Sequence, residues 1–365
     1  MRMTIIDPRP TGGIRPARWG VSEGTSIACG LCPHRCVISE GRLGRCRARG
    51  VLDGKLITFN YGRICAQIID QIEKKPIYHY RPGSKILSIG TFGCNLDCDC
   101  CQNAALASSG PEGRSEPVTS PEEVVSFALQ KGVQGIAFTF NEPVVWSEFI
   151  LDVARMAEGR GLYIMMNSNG YVEEEPLEEL LRAVSVFKVD VKGFTDRFYR
   201  QSCRGTLAPV LRTCRMIKNG GKHLELAYLI IPGLNDSKDE MEGFFRWAAE
   251  LGKDVPVHLY RFMPAHRLSH LEPTRMEAMR EAKDMARSHG LRFVYLSGMV
   301  EGDEHQTFCP KCGALVISRE AKEVAEKVVY EGSRLSKFCP SYSDIDDRTI
   351  KGMCASCGEI IYKSP

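Results

Sequence analysis

The chain has 365 residues, 43% hydrophobic and 25% charged, with a formal net charge of +3. This is long enough for one large domain plus small satellites, and the composition is ordinary for a globular protein. The slight charge gives no argument for nucleic-acid or membrane partners, and no apolar run approaches the ~20 residues that span a bilayer.

In chain order, the opening MRMTIIDPRPTGGIRPARWG lacks the apolar core of a secretory signal, so the protein is expected to be cytoplasmic. Sixteen cysteines in a reducing compartment point to metal ligands, redox groups or buried thiols rather than disulfides. Cys29, Cys32, Cys36 and Cys46 form a first group, in an N-terminal module set at residues 1–60. Their spacing fits a structural zinc and an auxiliary iron–sulfur cluster equally. A zinc would fold a segment too small to build its own core, whereas a cluster could relay electrons or bind substrate. The basic run Arg42, Arg45, Arg47 and Arg49 reads as a solvated face.

From 61 to 300 the chain alternates β-rich and helical runs. Strands are predicted at 85–90 (KILSIG), 135–140 (GIAFTF), 163–167 (YIMMN), 186–191 (VFKVDV), 224–231 (LELAYLII), 257–262 (VHLYRF) and 292–296 (RFVYL). They are apolar on both sides of the alternation, as parallel strands buried on both faces should be. Ser120-Pro-Glu-Glu123, Ser237-Lys-Asp-Glu240 and Thr274-Arg-Met-Glu277 each read as a capping box opening a helix. Six or seven such units predict an α/β fold, a complete or partial barrel of (β/α)6 type, with functional residues at the C-terminal ends of the strands. The polar residues Asn141, Glu142, Asn167, Ser168, Asn169, Asp190 and Lys192 follow successive strands, and His258 lies within another.

After the first of these strands comes GCNLDCDCCQN, with Cys94, Cys98, Cys100 and Cys101 in eight positions. A structural zinc takes four ligands, usually from two separate knuckles, and a simple electron-carrying cubane also takes four. Cys94-x3-Cys98-x2-Cys101 supplies three from one loop, which would leave one iron of a [4Fe–4S] cluster open to a substrate or cofactor. At the C-terminus, in a module set at 301–365, Cys309-Pro-Lys-Cys312-Gly and Cys354-Ala-Ser-Cys357-Gly pair as the knuckles of a zinc-ribbon-like site. The 41 residues between Cys312 and Cys354 (313–353) include Cys339 and exceed the usual link.

These motifs carry a resemblance. Cys-x3-Cys-x2-Cys after a first barrel strand resembles the radical S-adenosylmethionine (SAM) superfamily. DQIEKKPIYH at 70–79, the segment from Ser88 to Asn103, Asn141-Glu-Pro143, Ser168-Asn-Gly-Tyr171, Asp190-Val-Lys-Gly193 and Ile231-Pro-Gly-Leu-Asn-Asp236 are similar to the AmmeMemoRadiSam-system radical enzymes. These are relatives of the pyruvate formate-lyase activating enzymes. The Cys29–Cys36 start and the terminal Cys-x2-Cys pairs extend the likeness over nearly the whole chain.

The resemblance implies that Cys94, Cys98 and Cys101 ligate a [4Fe–4S] cluster whose open iron is chelated by SAM. One electron then cleaves SAM to methionine and a 5′-deoxyadenosyl radical, which abstracts hydrogen from a substrate. Asn141 and Glu142 take the place of a Gly-Gly-Glu segment at the methionyl ammonium; Ser168, Asp190, Lys192 and His258 match positions that contact methionyl or ribose groups. Cys100 stands where most members have an aromatic residue against the adenine, so it is expected not to be a ligand, with Phe92 or Tyr171 available to compensate. Cys203 reads as an ordinary loop or buried thiol, with a place facing the radical as the alternative.

The resemblance also implies an electron donor such as ferredoxin or flavodoxin and partner proteins of the AmmeMemoRadiSam system. Modification of a small molecule or another macromolecule is the leading expectation. Activation of a partner protein as a glycyl-radical enzyme is the alternative, and a non-catalytic multi-zinc protein is the rival from another class. The absence of a basic-aromatic pattern argues against nucleic acid as its ligand.

Overall fold

The computed structural model describes residues 13–297, 303–330 and 333–363, with side chains throughout except at 321–344. The first twelve residues of the opening stretch and the side chain of Cys339 lie outside this description.

The central sheet has eight strands: β1 (Ala66–Gln71), β2 (Lys85–Gly90), β3 (Gly135–Phe138), β4 (Tyr163–Ser168), β5 (Val186–Val191), β6 (His223–Ile230), β7 (Val257–Arg261) and β8 (Val294–Ser297). They are hydrogen-bonded in simple sequence order. β2 to β8 are all parallel, and β1 closes one edge antiparallel to β2. A sheet wound in one direction by right-handed crossovers puts its helices on one face and curls around its interior, so this is the partial barrel the alternation predicts.

The crossovers carry α1 (Pro121–Gln130), α2 (Ser147–Ala157), α3 (Glu174–Ala183), α4 (Leu207–Asn219), α5 (Lys238–Gly252) and α6 (Met276–Ser288). Ser120 and Glu123 form a complete capping box with Pro121 at the first helical position. Ser237 caps Glu240, but the Glu240 carboxylate accepts from Phe194 N instead of closing the box. Thr274 is not a cap: α6 starts at Met276, and the buried Thr274 hydroxyl donates to Ile230 O (2.6 Å) and accepts from Phe262 N (3.0 Å), bracing the ends of β6 and β7. β3 ends at Phe138, two residues earlier than expected, because Phe140 adopts a φ of 73° that no strand accommodates.

Residues 15–58 form two small antiparallel sheets, one of Arg15–Pro16, Lys55–Thr58 and Arg49–Leu52, the other of Gly20–Glu23, Ser26–Cys29 and Val37–Ser39. Their buried Ile27, Leu31, Ile38, Val51 and Leu56 join the same apolar core as Leu87, Ile136 and Val189 of the barrel.

At the other end of the barrel, residues 72–80 plug the N-terminal ends of the strands. Tyr78 N and His79 N both donate to the buried Glu225 carboxylate on β6 (3.0 and 2.8 Å). The C-terminal module packs on this plug. Arg319, fully buried, donates to Tyr78 O (2.9 Å) and covers the Tyr78 ring at 4.2 Å, while His79 Nδ1 contacts Ile361 O at 2.9 Å. The long interval between the knuckles is an antiparallel ribbon, Leu315–Tyr330 with Ser333–Asp347.

Candidate functional site

The thiol loop leaves the C-terminal end of β2 and is held from three sides. Gly93 sits at φ +85°, and a Cβ there would lie 2.4 Å from Cys46 O, so only glycine passes this point. Asn141 clamps the approach: its Oδ1 accepts from Thr91 N (3.1 Å), and its Nδ2 donates to Gly93 O (2.8 Å) and Phe92 O (3.3 Å). Beyond Cys94, the loop backbone pairs with the turn after β5, Asp97 N donating to Cys203 O (3.0 Å) and Asp99 N to Ser202 O (2.9 Å). Arg204 and Arg267 then bind the two aspartates, Arg204 to Asp99 and Arg267 to both.

Cys94, Cys98 and Cys101 are half-exposed on this loop and Cys100 is buried. Cys101 N donates to Cys98 O (3.2 Å), and burial, then the Glu142 carboxylate, and then Cys98 and Cys101 push the Cys94 thiol up. Burial pushes Cys100 up to about 12. Cys203 ends a π-helical turn, Tyr199–Cys203, and is completely buried; this neighbouring thiol, and then burial, push the Cys98 thiol well up. Irregular π turns cluster at functional sites, and this contact was not foreseen from the lone Cys203.

Glu142, 2% exposed, accepts from Ser168 Oγ (2.7 Å) and Val144 N (2.9 Å) through Oε1, and from Asn169 N (2.7 Å) through Oε2. Burial still outweighs these donors and pushes its carboxyl up to about 7. The strained Phe140 backbone just before it is the kind of outlier that collects at functional sites. Asn169 Nδ2 donates to Asn95 Oδ1 (2.9 Å) and lies 3.9 Å from Cys94 Sγ, which ties Glu142 to the thiol loop.

At the end of β5, Asp190 pairs with Lys192 (2.8 Å) and with Lys188. Burial would raise the Asp190 carboxyl, but the two ammonium groups hold it well below the usual carboxylate range. Asn235 braces the same corner, its Nδ2 donating to Lys192 O and Leu229 O (both 2.8 Å) and its Oδ1 accepting from Ile231 N (2.7 Å). Lys188, buried and 5.0 Å over the Tyr260 ring, is a charged interior residue that its place inside an apolar strand run concealed.

The structure therefore gathers Cys94, Cys98, Cys101, Glu142, Ser168, Asp190 and Lys192 around the C-terminal end of the sheet. It engages Asn141 fully with the loop backbone. It does not bring His258 to this group: His258 is buried lower in the barrel, with Nε2 on Glu225 Oε2 (2.6 Å) and Nδ1 on Ser297 Oγ (2.9 Å). Phe92 is also fully enclosed, with Arg114 5.0 Å over its ring, and Tyr171 is 3% exposed.

In the C-terminal module, Cys309 and Cys357 sulfurs are 3.6 Å apart and Cys312 and Cys354 sulfurs 3.7 Å. A tetrahedral zinc with Zn–S bonds of about 2.3 Å sets sulfurs about 3.8 Å apart, so this quartet is drawn closely enough to hold one tetrahedral metal ion. Among the described residues it is the set whose ligand atoms all lie within 4.8 Å of one another; neither Cys94, Cys98 and Cys101 nor the N-terminal quartet is so closely drawn. The wider trio suits a cubane, whose thiolates attach to different irons rather than to one ion. The N-terminal thiols Cys29, Cys32, Cys36 and Cys46 line one cavity together with Arg45 and Arg49. Burial, and then Cys29, push Cys46 up to about 11. Among the described residues no helix is long and apolar enough to cross a membrane.

Residues 88–248 match the profile of the Radical SAM superfamily. An uncharacterized protein of Methanocaldococcus jannaschii is 37% identical over 298 residues, 81% of this chain and 89% of that protein. The isethionate sulfite-lyase activating enzyme of Oleidesulfovibrio alaskensis is 25% identical over 178 residues, 48% of this chain and 56% of that enzyme. The pyruvate formate-lyase-activating enzyme of Clostridium pasteurianum is 22% identical over 179 residues, 48% of this chain and 73% of that enzyme.

Proposed function

The chain belongs to the radical SAM superfamily, and on that premise we propose that it is an enzyme that cleaves SAM reductively and abstracts hydrogen from a substrate. The observation that carries the reading is the convergence of a three-thiol loop with a buried carboxyl and an Asp–Lys pair at the C-terminal end of one parallel sheet. A [4Fe–4S] cluster on Cys94, Cys98 and Cys101 with bound SAM would supply a 5′-deoxyadenosyl radical.

The chain's own residues do the rest. Glu142, fixed by Ser168 Oγ and Asn169 N, presents a carboxyl suited to an ammonium group. Lys192 is suited to a carboxylate, and Asp190, kept ionised by Lys188 and Lys192, to hydroxyls. Asn141 acts by holding the loop, and His258 by holding the plug, so neither is assigned a direct contact. Cys100 and Cys203 are not ligands in this reading. The C-terminal quartet holds zinc.

Membership of the AmmeMemoRadiSam system, with partner proteins from it and a ferredoxin or flavodoxin as donor, belongs to the same proposal. Units at 1–60, 61–300 and 301–365 do as well. The substrate reading retained first is a small molecule or a macromolecule other than a glycyl-radical enzyme. Formation of a glycyl radical on a partner protein is the second, favoured by the relatives named as activating enzymes. Anaerobic incubation with SAM and a strong reductant should yield 5′-deoxyadenosine, and no product above a Cys98→Ala control would overturn the proposal. Deuterium transfer into 5′-deoxyadenosine from a labelled partner protein, and not from small molecules, would select the second reading.

A further inference from the structure

The N-terminal quartet is set differently from the C-terminal one. Four thiols converge on one cavity, Cys29 and Cys32 buried and Cys36 and Cys46 partly so, yet they are not drawn into the close set that the zinc-type quartet makes. Four thiols around a space, standing wider than one metal ion allows, is what a cubane asks of its ligands.

The cavity wall carries a second signal. Arg49 is completely buried; its Nη1 lies 3.9 Å from Cys29 Sγ, and its Nε has no hydrogen-bond partner. Its Nη2 pairs with Glu148, so the guanidinium is positioned from behind. A buried cation with an unsatisfied donor beside four thiols suits an anionic, sulfur-rich group, since a buried donor left without an acceptor is unfavourable.

The cavity also abuts the thiol loop after β2. Cys46 O accepts from Cys94 N (3.2 Å), and His34 Nε2 contacts Asn95 O (2.7 Å). A residue ligating at one site is thus hydrogen-bonded through its backbone to a residue ligating at the other.

We propose that Cys29, Cys32, Cys36 and Cys46 ligate a second [4Fe–4S] cluster, closed by four cysteines and placed for one-electron transfer to the cluster on Cys94. With every iron capped by a thiolate, this cluster has no open position, which makes it a relay and not a substrate site. An external one-electron donor of the iron–sulfur or flavin class reduces it from the 2+ to the 1+ state. Returning to 2+, it passes that electron to the first cluster; no atom moves in either step. The relay role rests on the proposed function, but the presence of the cluster does not.

The test is metal analysis and electron paramagnetic resonance of the full chain, reconstituted anaerobically. Cys94→Ala/Cys98→Ala/Cys101→Ala removes the first site, and it should retain about four irons, about four sulfides and about one zinc per chain. On reduction it should show a cluster signal that SAM does not alter. About two zincs and no iron in that variant would overturn the proposal. Cys36→Ala in the otherwise native chain gives the converse: iron should fall from about eight to about four per chain, with a SAM-responsive signal remaining. If instead it loses one zinc and keeps all its iron, the site is zinc. Retained iron in the triple variant alongside no 5′-deoxyadenosine from the native protein would sink the proposed function while leaving the second cluster standing.

Discussion

Glu142 shows how a single side chain can report on the whole site. Its carboxyl is pushed up to about 7 by burial, although Ser168, Val144, Asn169 and the nearby Lys192 all favour the ionised form. A folded pKa above the unfolded one means that the ligand-free protein is stabilised by protonation and loses that contribution as pH rises through 7. An ammonium ligand reverses the preference, since it binds the ionised carboxylate. SAM affinity of the reconstituted protein should therefore rise through pH 7, by about tenfold between pH 6 and pH 8, and Glu142→Gln should bind more weakly with a flat profile. A flat profile in the native protein would remove Glu142 from the ammonium site. Asn141 makes the opposite case. Its amide is spent on Thr91, Phe92 and Gly93, so Asn141→Ala should leave a backbone N–H unpaired and cost about 1–3 kcal/mol. Iron loading at the first site should fall while SAM affinity per loaded cluster holds. If affinity falls instead with loading intact, Asn141 touches the ligand.

Elements were legible where one physical cause dominates. Strands buried on both faces read as short apolar runs, and β2 and β5 have the predicted bounds. Ser120 reads correctly because a capping box is purely local, with its acceptor and donor both within three residues. Thr274 shares that local pattern but is claimed by β6 and β7, which no window of sequence around it displays. The same holds for the site. The thiol loop is visible as spacing, whereas Lys188 inside VFKVDV, Cys203 against Cys98 and the diversion of Asn141 to the loop all depend on distant segments. The two kinds of threonine and serine should separate by magnitude. Ser120→Ala, losing an exposed cap, should cost about 1 kcal/mol. Thr274→Val, nearly isosteric, strands the buried Phe262 N–H and should cost about 1–3 kcal/mol, measured by denaturant midpoint at constant slope. Equal costs would mean that Thr274 is only packing.

At the scale of the molecule, the two ends of the barrel do different work. The thiol loop, Glu142 and Asp190 stand at the C-terminal ends of the strands, while Glu225, His258, His79 and Arg319 fill the N-terminal ends and anchor the C-terminal module. Burial lowers His79 to about 4, so it is neutral in the fold, and burial lowers His258 as well, against the Glu225 carboxylate that raises it. A depressed histidine pKa contributes stability that is present above about 6.5 and drains away as pH falls towards about 4, because the unfolded chain takes up the protons first. The thermal midpoint should therefore drop between pH 7 and pH 5, and less so in His79→Asn. The quartet Cys309, Cys312, Cys354 and Cys357 pulls on the same end, since His79 holds Ile361 O a few residues past the second knuckle. Cys354→Ser/Cys357→Ser should thus release zinc and lower the midpoint by roughly 5–10 °C, as loss of a few kcal/mol does in a chain of this size. SAM affinity at the far end should stay within about twofold of the native value, because the C-terminal module packs on the plug at the opposite end of the barrel. An affinity loss tracking zinc loss, at a temperature where the barrel is still folded, would show that the two ends are coupled through the plug.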